Sequence, residues 1–306
     1  METGKVIEVK GLTKKYKNLT AVDNLDLNVY QGDVFGFLGP NGAGKSTTIR
    51  MLLSLIKPTS GSIKIFDKSL TKHRKQILKD IGAIVEKADF YLYLSAYKNL
   101  EILSRISGKE IPKKRIMEVL ELVGLKDRCN SKVKTFSHGM KQRLGIAQAL
   151  VHDPQLIILD EPTTGLDPQG MKEIRDLIIH LSRNENKTIF LSSHILHEVE
   201  LIATRMIILN KGKTRVEGTV DELLGTDRLS VTFEVDDAAK AQNILNLSKW
   251  NSDFVGAEKN QLTLNMKQEE IAGLNKYLVE HSIAVSAVIP VRSLEDYFLK
   301  ITEGGE

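Results

Sequence analysis

Cysteine is almost missing from this sequence. Cys129 is the single one in 306 residues, so no disulfide can form within the chain, and the composition suits a reducing compartment. Long apolar runs are missing as well: none approaches the roughly 18 residues that a membrane-crossing helix needs. The opening Met1–Lys5 passes straight into a strand-like segment without the apolar stretch of a secretory signal, so none is expected. No heptad pattern, low-complexity tract or repeat of about 20–50 residues is present, which argues against coiled coils and solenoids. Past Gly225 no cluster of Cys, His or paired carboxylates has ligand-like spacing, and neither metal nor cofactor binding is expected there. What is there is a globular composition, 42% hydrophobic and 27% charged, in a chain long enough for one large domain and a small one or for two of ordinary size.

The charge is unevenly shared. From Thr226 onward 8 Lys/Arg stand against 13 Asp/Glu, a net of −5, and the preceding part carries 35 against 26, a net of +9. A basic surface of that kind suits a nucleotide, anionic lipid headgroups or nucleic acid, and charge alone does not choose among them.

Periodicity divides the chain in the same way. Val6–Leu12 and Leu25–Tyr30 read as half-buried strands, with Lys14–Lys17 as a basic loop carrying one aromatic, Tyr16. Ser62–Phe66 and Ile81–Val85 are further strands on either side of a polar helix near 71–80. From about Ala96 to His152 the apolar residues recur every three to four positions, as at Ile102, Leu103 and Ile106 and at Ile116, Val119, Leu120 and Val123. This predicts a helical subdomain inserted over about 88–152. Continuous apolar strands then resume at Gln155–Leu159, Thr188–Leu191 and Met206–Leu209, with helices near 168–183 and 195–203, as a parallel sheet covered on both faces requires. Past Gly225 the order is strand, helix, strand, strand, helix, strand. That predicts a ferredoxin-like α+β domain over 226–306, followed by an amphipathic piece at Ser293–Lys300.

One stretch in the basic part carries a specific chemistry. Gly39, Pro40, Asn41, Gly42, Ala43, Gly44, Lys45, Ser46 and Thr47 match the phosphate-binding loop GxxxxGK[ST], and they stand between an apolar strand and a helix. Backbone N–H groups of such a loop cradle a polyphosphate, with Lys45 reaching the β and γ phosphates and the Ser46 hydroxyl reaching Mg²⁺. Leu156–Glu161 ends a buried strand in two carboxylates, Asp160 placed to hold Mg²⁺ directly or through water and Glu161 to orient a water for attack on the γ-phosphate. His194 closes the next apolar strand, where open parallel sheets collect their ligand contacts. It is a candidate donor to the γ-phosphate and a candidate orienter of Glu161.

Together with Phe136-Ser-His-Gly-Met-Lys-Gln-Arg-Leu-Gly145, these residues resemble the nucleotide-binding subunits of ATP-binding cassette (ABC) transporters over about residues 4–225. The resemblance implies a P-loop NTPase cassette in the region 1–225: a RecA-like α/β core, an antiparallel β subdomain and an inserted helical subdomain. The family signature Leu-Ser-Gly-Gly-Gln stands here with Phe136, His138 and Met140 as departures and with Ser137 and Gly139 retained. In the family that segment acts on the ATP held by a second subunit, so the implied partner is a second copy or a paired cassette. Tyr16 would stack on the adenine, or is a plain surface aromatic. Asp167 would lie in the loop that touches the opposite subunit. Glu86 occupies the position of the family's usual glutamine and could face Mg²⁺ or its water.

A separate polytopic membrane subunit would dock near Phe90, Tyr91 and Tyr93, unless two of these merely pack the subdomain. The Glu86 and Ser-x-Gly-Met-Lys-Gln-Arg variants resemble the branch of ABC-2-type exporters associated with bacitracin and lantibiotic self-protection. The implied function is ATP hydrolysis at the cytoplasmic face of a membrane, with ATP and Mg²⁺ as cofactors and no nucleic acid. A soluble ABC ATPase acting on nucleic acid or the ribosome is the alternative. A module that binds ATP without hydrolysing it is disfavoured by Glu161 and His194.

Overall fold

The computed structural model describes residues 4–86, 88–106, 111–224 and 228–292. They fall into two compact units that divide between Glu217 and Gly218. The first opens with β1 (Lys5–Tyr16) and β2 (Leu19–Tyr30), then β3 (Val34–Leu38), α1 (Lys45–Leu52), β4 (Ser60–Ile65), β5 (Lys68–Ser69), α2 (Leu70–Leu78) and β6 (Ile81–Ile84). Helices α3 (Ala96–Ile106), α4 (Lys113–Leu122) and α5 (His138–Leu150) follow. The unit continues through β7 (Leu156–Asp160), α6 (Pro168–Arg183), β8 (Thr188–Ser193), α7 (Leu196–Glu200), β9 (Arg205–Asn210) and β10 (Lys213–Thr219), whose last two residues fall past the division.

Two sheets result. One has the order β2-β1-β4-β5, with each neighbouring pair antiparallel. The other has the order β10-β9-β3-β8-β7-β6, with β9, β3, β8, β7 and β6 running parallel. Every residue of β3, β7 and β8 is buried, which is why these strands read as unbroken apolar runs rather than alternations. Register then does the positioning. Leu38 pairs with Ser193 and Asp160 with Ser192, so β3, β7 and β8 end level with one another. Whatever follows Leu38, Asp160 and Ser193 emerges along one edge.

Three rings pack β3 against β8: Phe190 lies 5.6 Å from Phe35 and 5.1 Å from Phe37, centroid to centroid. All three are fully buried. Phe190→Ala is expected to destabilise the first unit by about 3–5 kcal/mol, read as a lower denaturant midpoint of its unfolding transition.

Three points of the expected layout need correction. The basic segment Lys14–Lys17 is not a loop between separate short strands; β1 runs on to Tyr16 and turns at Lys17, where φ is +37°, into β2. The exposed side chains there carry no alternation from which a strand could be read. Strand β10 was not expected either, because Lys213–Thr219 has no buried residue to supply a pattern. The helix expected at 195–203 is shorter, Leu196–Glu200.

The second unit contains α8 (Val220–Leu224), β11 (Arg228–Val235), α9 (Ala238–Asn246), β12 (Phe254–Glu258), β13 (Gln261–Lys267), α10 (Ile271–Glu280) and β14 (Val285–Arg292). Its sheet order, β12-β13-β11-β14, is antiparallel throughout, and after α8 the succession is the expected βαββαβ. Val231, Phe233, Leu262, Leu264 and Met266 form one sheet face and bury against Ala241, Leu245, Leu274 and Leu278 of the helices. The amphipathic piece expected at 293–300 lies outside the described residues.

Candidate nucleotide site

The loop after β3 is shaped before any ligand is considered. Gly44 has φ +106°, and a Cβ there would meet Ala21 O at 2.5 Å, so glycine is required both by backbone conformation and by space. Gly44 is also the N-cap of α1 and makes no side-chain cap. The first N–H groups of α1 are thus left without side-chain acceptors, the arrangement that favours an anion. Ala43 N–H donates to Pro40 O (3.1 Å), closing the loop on itself.

Lys45 is 95% buried, and its Nζ donates to Gly39 O (2.8 Å) and Pro40 O (3.2 Å). The same ammonium lies 3.3 Å from Glu161 Oε1. Glu161 stands just past the end of β7 with φ +50°, a conformation that costs a non-glycine residue about 1–3 kcal/mol and persists only where its surroundings impose it. Here the surroundings do so. Glu161 N–H donates to Ser192 Oγ (3.0 Å), and that hydroxyl donates to Asp160 Oδ1 (2.5 Å). Thr164 Oγ1 donates to Glu161 Oε2 (3.0 Å), and His194 Nδ1 lies 3.1 Å from the same oxygen. Burial alone would raise the Glu161 pKa. The Thr164 hydrogen bond and the Lys45 and His194 charges outweigh it, and the carboxyl is held below its ordinary range.

Around these groups a cavity of about 300 Å³ is lined by Ser46, Glu86, His138, Gln142, Asp160, Glu161 and Thr164. Glu86 too has a left-handed backbone, φ +62°, and its carboxylate pairs with Arg50 of α1. A second cavity, about 370 Å³, lies between α5 and the start of α6. It is lined among others by Ser137, His138, Gly139, Leu166 and Asp167. The starts of both helices line it. Ser137 caps α5 by accepting from Met140 N–H (3.2 Å), and Asp167 caps α6 by accepting from Gly170 N–H (3.2 Å). The expected residues thus gather in two places, Lys45, Ser46, Glu86, Asp160, Glu161 and His194 in the first, Ser137, Gly139 and Asp167 in the second.

Tyr16 joins neither. It is 44% exposed at the tip of β1, with Lys14 Nζ 4.9 Å above its ring. Of the three aromatics after Glu86, Tyr91 and Tyr93 are exposed and Phe90 is half-buried. Their loop is fixed by the buried Asn99, which accepts from Tyr91 N–H (2.8 Å) and donates to Tyr91 O (3.1 Å).

Sequence reasoning missed Ser192, Thr164, Gln142 and Arg50. Thr164 had a local signal, a hydroxyl three residues after the carboxylate it reaches. Arg50 meets Glu86 across 36 residues and Ser192 meets Asp160 across 32 through sheet register, which a pattern in one segment does not encode.

Comparison with known proteins finds relatives over nearly the whole chain. The ABC transporter family model matches residues 22–164. The chain is 46% identical over 301 residues to the bacitracin transport ATP-binding protein BcrA of Bacillus licheniformis, covering 98% of each chain. It is 41% identical over 228 residues to the lantibiotic transport ATP-binding protein SrtF of Streptococcus pyogenes, covering 74% of this chain and 96% of that one. A solved ATP-binding cassette, a dimer in a post-hydrolysis state bound to ADP and Pi, superposes with a TM-score of 0.63 at 28% identity. That match covers 70% of this chain and 98% of the other.

Proposed function

We propose, from the premise that this chain belongs to the ATP-binding subunits of ABC transporters, that it powers an exporter in the manner of the bacitracin and lantibiotic transport proteins it is similar to. The chain binds ATP and hydrolyses it to ADP and phosphate in the service of transport. Its cargo class is peptide antibiotics, and its station is the cytoplasmic face of the membrane. Among the described residues no helix is long and apolar enough to cross a membrane, and the reading assigns that task to a separate polytopic subunit. It also assigns the exposed Tyr91 and Tyr93, with Phe90, to that subunit's docking surface, on a loop that Asn99 keeps rigid. The runner-up, work on nucleic acid or the ribosome, gains nothing from these relatives.

The observation that carries the reading is Glu161. A single carboxylate faces the phosphate-loop lysine, a hydroxyl and an imidazole, and burial has not neutralised it. As a γ-phosphate takes over Lys45, Glu161 is released from that cation and keeps Thr164 and His194. It is then placed to align a water and accept its proton. His194 presents Nδ1 to Glu161, so contact with the phosphate falls to Nε2, which donates only when the ring carries both protons.

Ser46, Asp160 and Glu86 line the same cavity with oxygen donors only, a set that fits Mg²⁺, which takes one or two carboxylates together with phosphates and waters. When bound, that ion neutralises charge developing on the phosphate oxygens. The second cavity, with Ser137, Gly139 and Asp167 at two helix starts, suits the phosphate of a nucleotide carried by another copy, so the active form is read as a dimer.

The test is purification of the tagged full-length chain from detergent-solubilised membranes of its own host. Magnesium-dependent ATP hydrolysis and a co-purifying polytopic membrane protein are expected; a ribosomal or nucleic-acid partner instead would overturn the exporter reading. Tyr16→Ala is expected to weaken ATP binding about 2- to 10-fold, the range of one lost aromatic contact, without lowering turnover at saturating ATP.

A further inference from the structure

His138 is a departure from the family signature that no role yet absorbs. It is the first residue of α5 and lines both cavities, the one around Glu161 and the one between α5 and α6. Its Nε2 lies 3.3 Å from Thr164 O, across 26 residues of sequence. The ring rests over Gly165, where φ is +76° and a Cβ would stand 3.3 Å from Nε2, so the loop presents backbone and no side chain to the imidazole. Thr164 is the residue whose hydroxyl binds Glu161, and its own N–H donates to Glu161 O (3.2 Å). The turn continues with Leu166 N–H on Thr163 O (3.2 Å) and ends at Asp167, the cap of α6.

We infer that His138 is a positioning residue that ties the signature helix to the Glu161 loop of the same chain and so couples the two nucleotide sites. The inference rests on the dimeric ATPase reading above. With Nε2 protonated, His138 donates to Thr164 O, and a shift of Glu161 on losing Lys45 reaches Thr164 through two hydrogen bonds and α5 through one more. The start of α5 is the element read as gripping the other copy's phosphate. A glycine or alanine at 138 has no group to complete that path. Coupling of this kind is reciprocal and typically changes affinity about 5- to 150-fold.

The experiment measures ATP hydrolysis against ATP concentration with the full-length chain and Mg²⁺, for wild type, His138→Ala, His138→Gln, Thr164→Val and the His138→Ala/Thr164→Val double variant. Wild type is expected to be cooperative and His138→Ala to have a Hill coefficient near 1. Gln at 138 carries an amide donor and should restore cooperativity. Thr164→Val removes the hydroxyl bond to Glu161 and leaves the backbone one, so it should lower cooperativity less than His138→Ala, and the double variant should match His138→Ala.

Unchanged cooperativity in His138→Ala overturns the link, as does a non-cooperative wild type. Additive losses in the double variant also overturn it, because they would mean that His138 acts on the other copy's nucleotide directly. A wild-type chain that hydrolyses no ATP removes the ATPase reading and the link with it.

Discussion

Glu161→Gln is expected to reduce ATP hydrolysis about 100- to 10,000-fold, the range attributed to a positioned general base, while ATP binding is retained. The substitution keeps the size of the side chain and removes its charge. Thr164 Oγ1 can still donate to the amide oxygen, so the local geometry that holds residue 161 at φ +50° survives. The pairing with Lys45 is lost, yet Lys45 keeps Gly39 O and Pro40 O and stays buried beside the phosphate loop. Removing a carboxylate also removes repulsion against the γ-phosphate, so affinity should be equal or higher. A dimer that closes on ATP and reopens after hydrolysis should then persist, visible as a dimeric species by size-exclusion chromatography with ATP and a monomeric one with ADP. A Glu161→Gln chain that turns over ATP at the wild-type rate would show that another group activates the water.

The phosphate loop could be read from sequence because its chemistry is local. Nine consecutive residues between a strand and a helix set the turn, the lysine and the hydroxyl, and Gly44 is compelled by contacts that its own conformation creates. Asp160 and Glu161 were equally legible, as carboxylates ending a buried strand. The βαββαβ order from β11 to β14 was too, since its alternating strands and two amphipathic helices fit one small topology, although the compact unit starts at Gly218, ahead of the expected 226.

What stayed hidden depends on which strand lies beside which. Ser192 reaches Asp160 only because β8 is registered against β7, and His138 reaches Thr164 only because α5 and the Glu161 loop meet in space. The signature departure at 138 was visible as a letter. Its contact was not, because 26 residues of chain, helix α5 and then strand β7, separate the partners.

Lys45→Met is expected to weaken ATP binding by a factor of about 100 or more, corresponding to the loss of charge-assisted hydrogen bonds in a buried setting, about 3–5 kcal/mol when one partner of such a pair is removed. The ammonium is 95% buried and already answers two backbone carbonyls and a carboxylate, so it is a fixed part of the loop and not a side chain recruited from solvent. Methionine retains most of the stem and its packing, which separates the charge from the volume it fills. The loss would leave Gly39 O and Pro40 O short of a donor and Glu161 without its nearest cation. Some stability therefore goes as well, and the unliganded melting temperature should fall by a few degrees with the fold intact by circular dichroism. The decisive readout is the ligand-induced shift. Wild type should gain stability with rising ATP as RT ln(1 + [L]/Kd), and Lys45→Met should gain almost none over the same concentrations. A Lys45→Met chain with the wild-type shift would mean that the loop after β3 does not hold the phosphates, and the assignment of the surrounding carboxylates would have to be made again from a different ligand position.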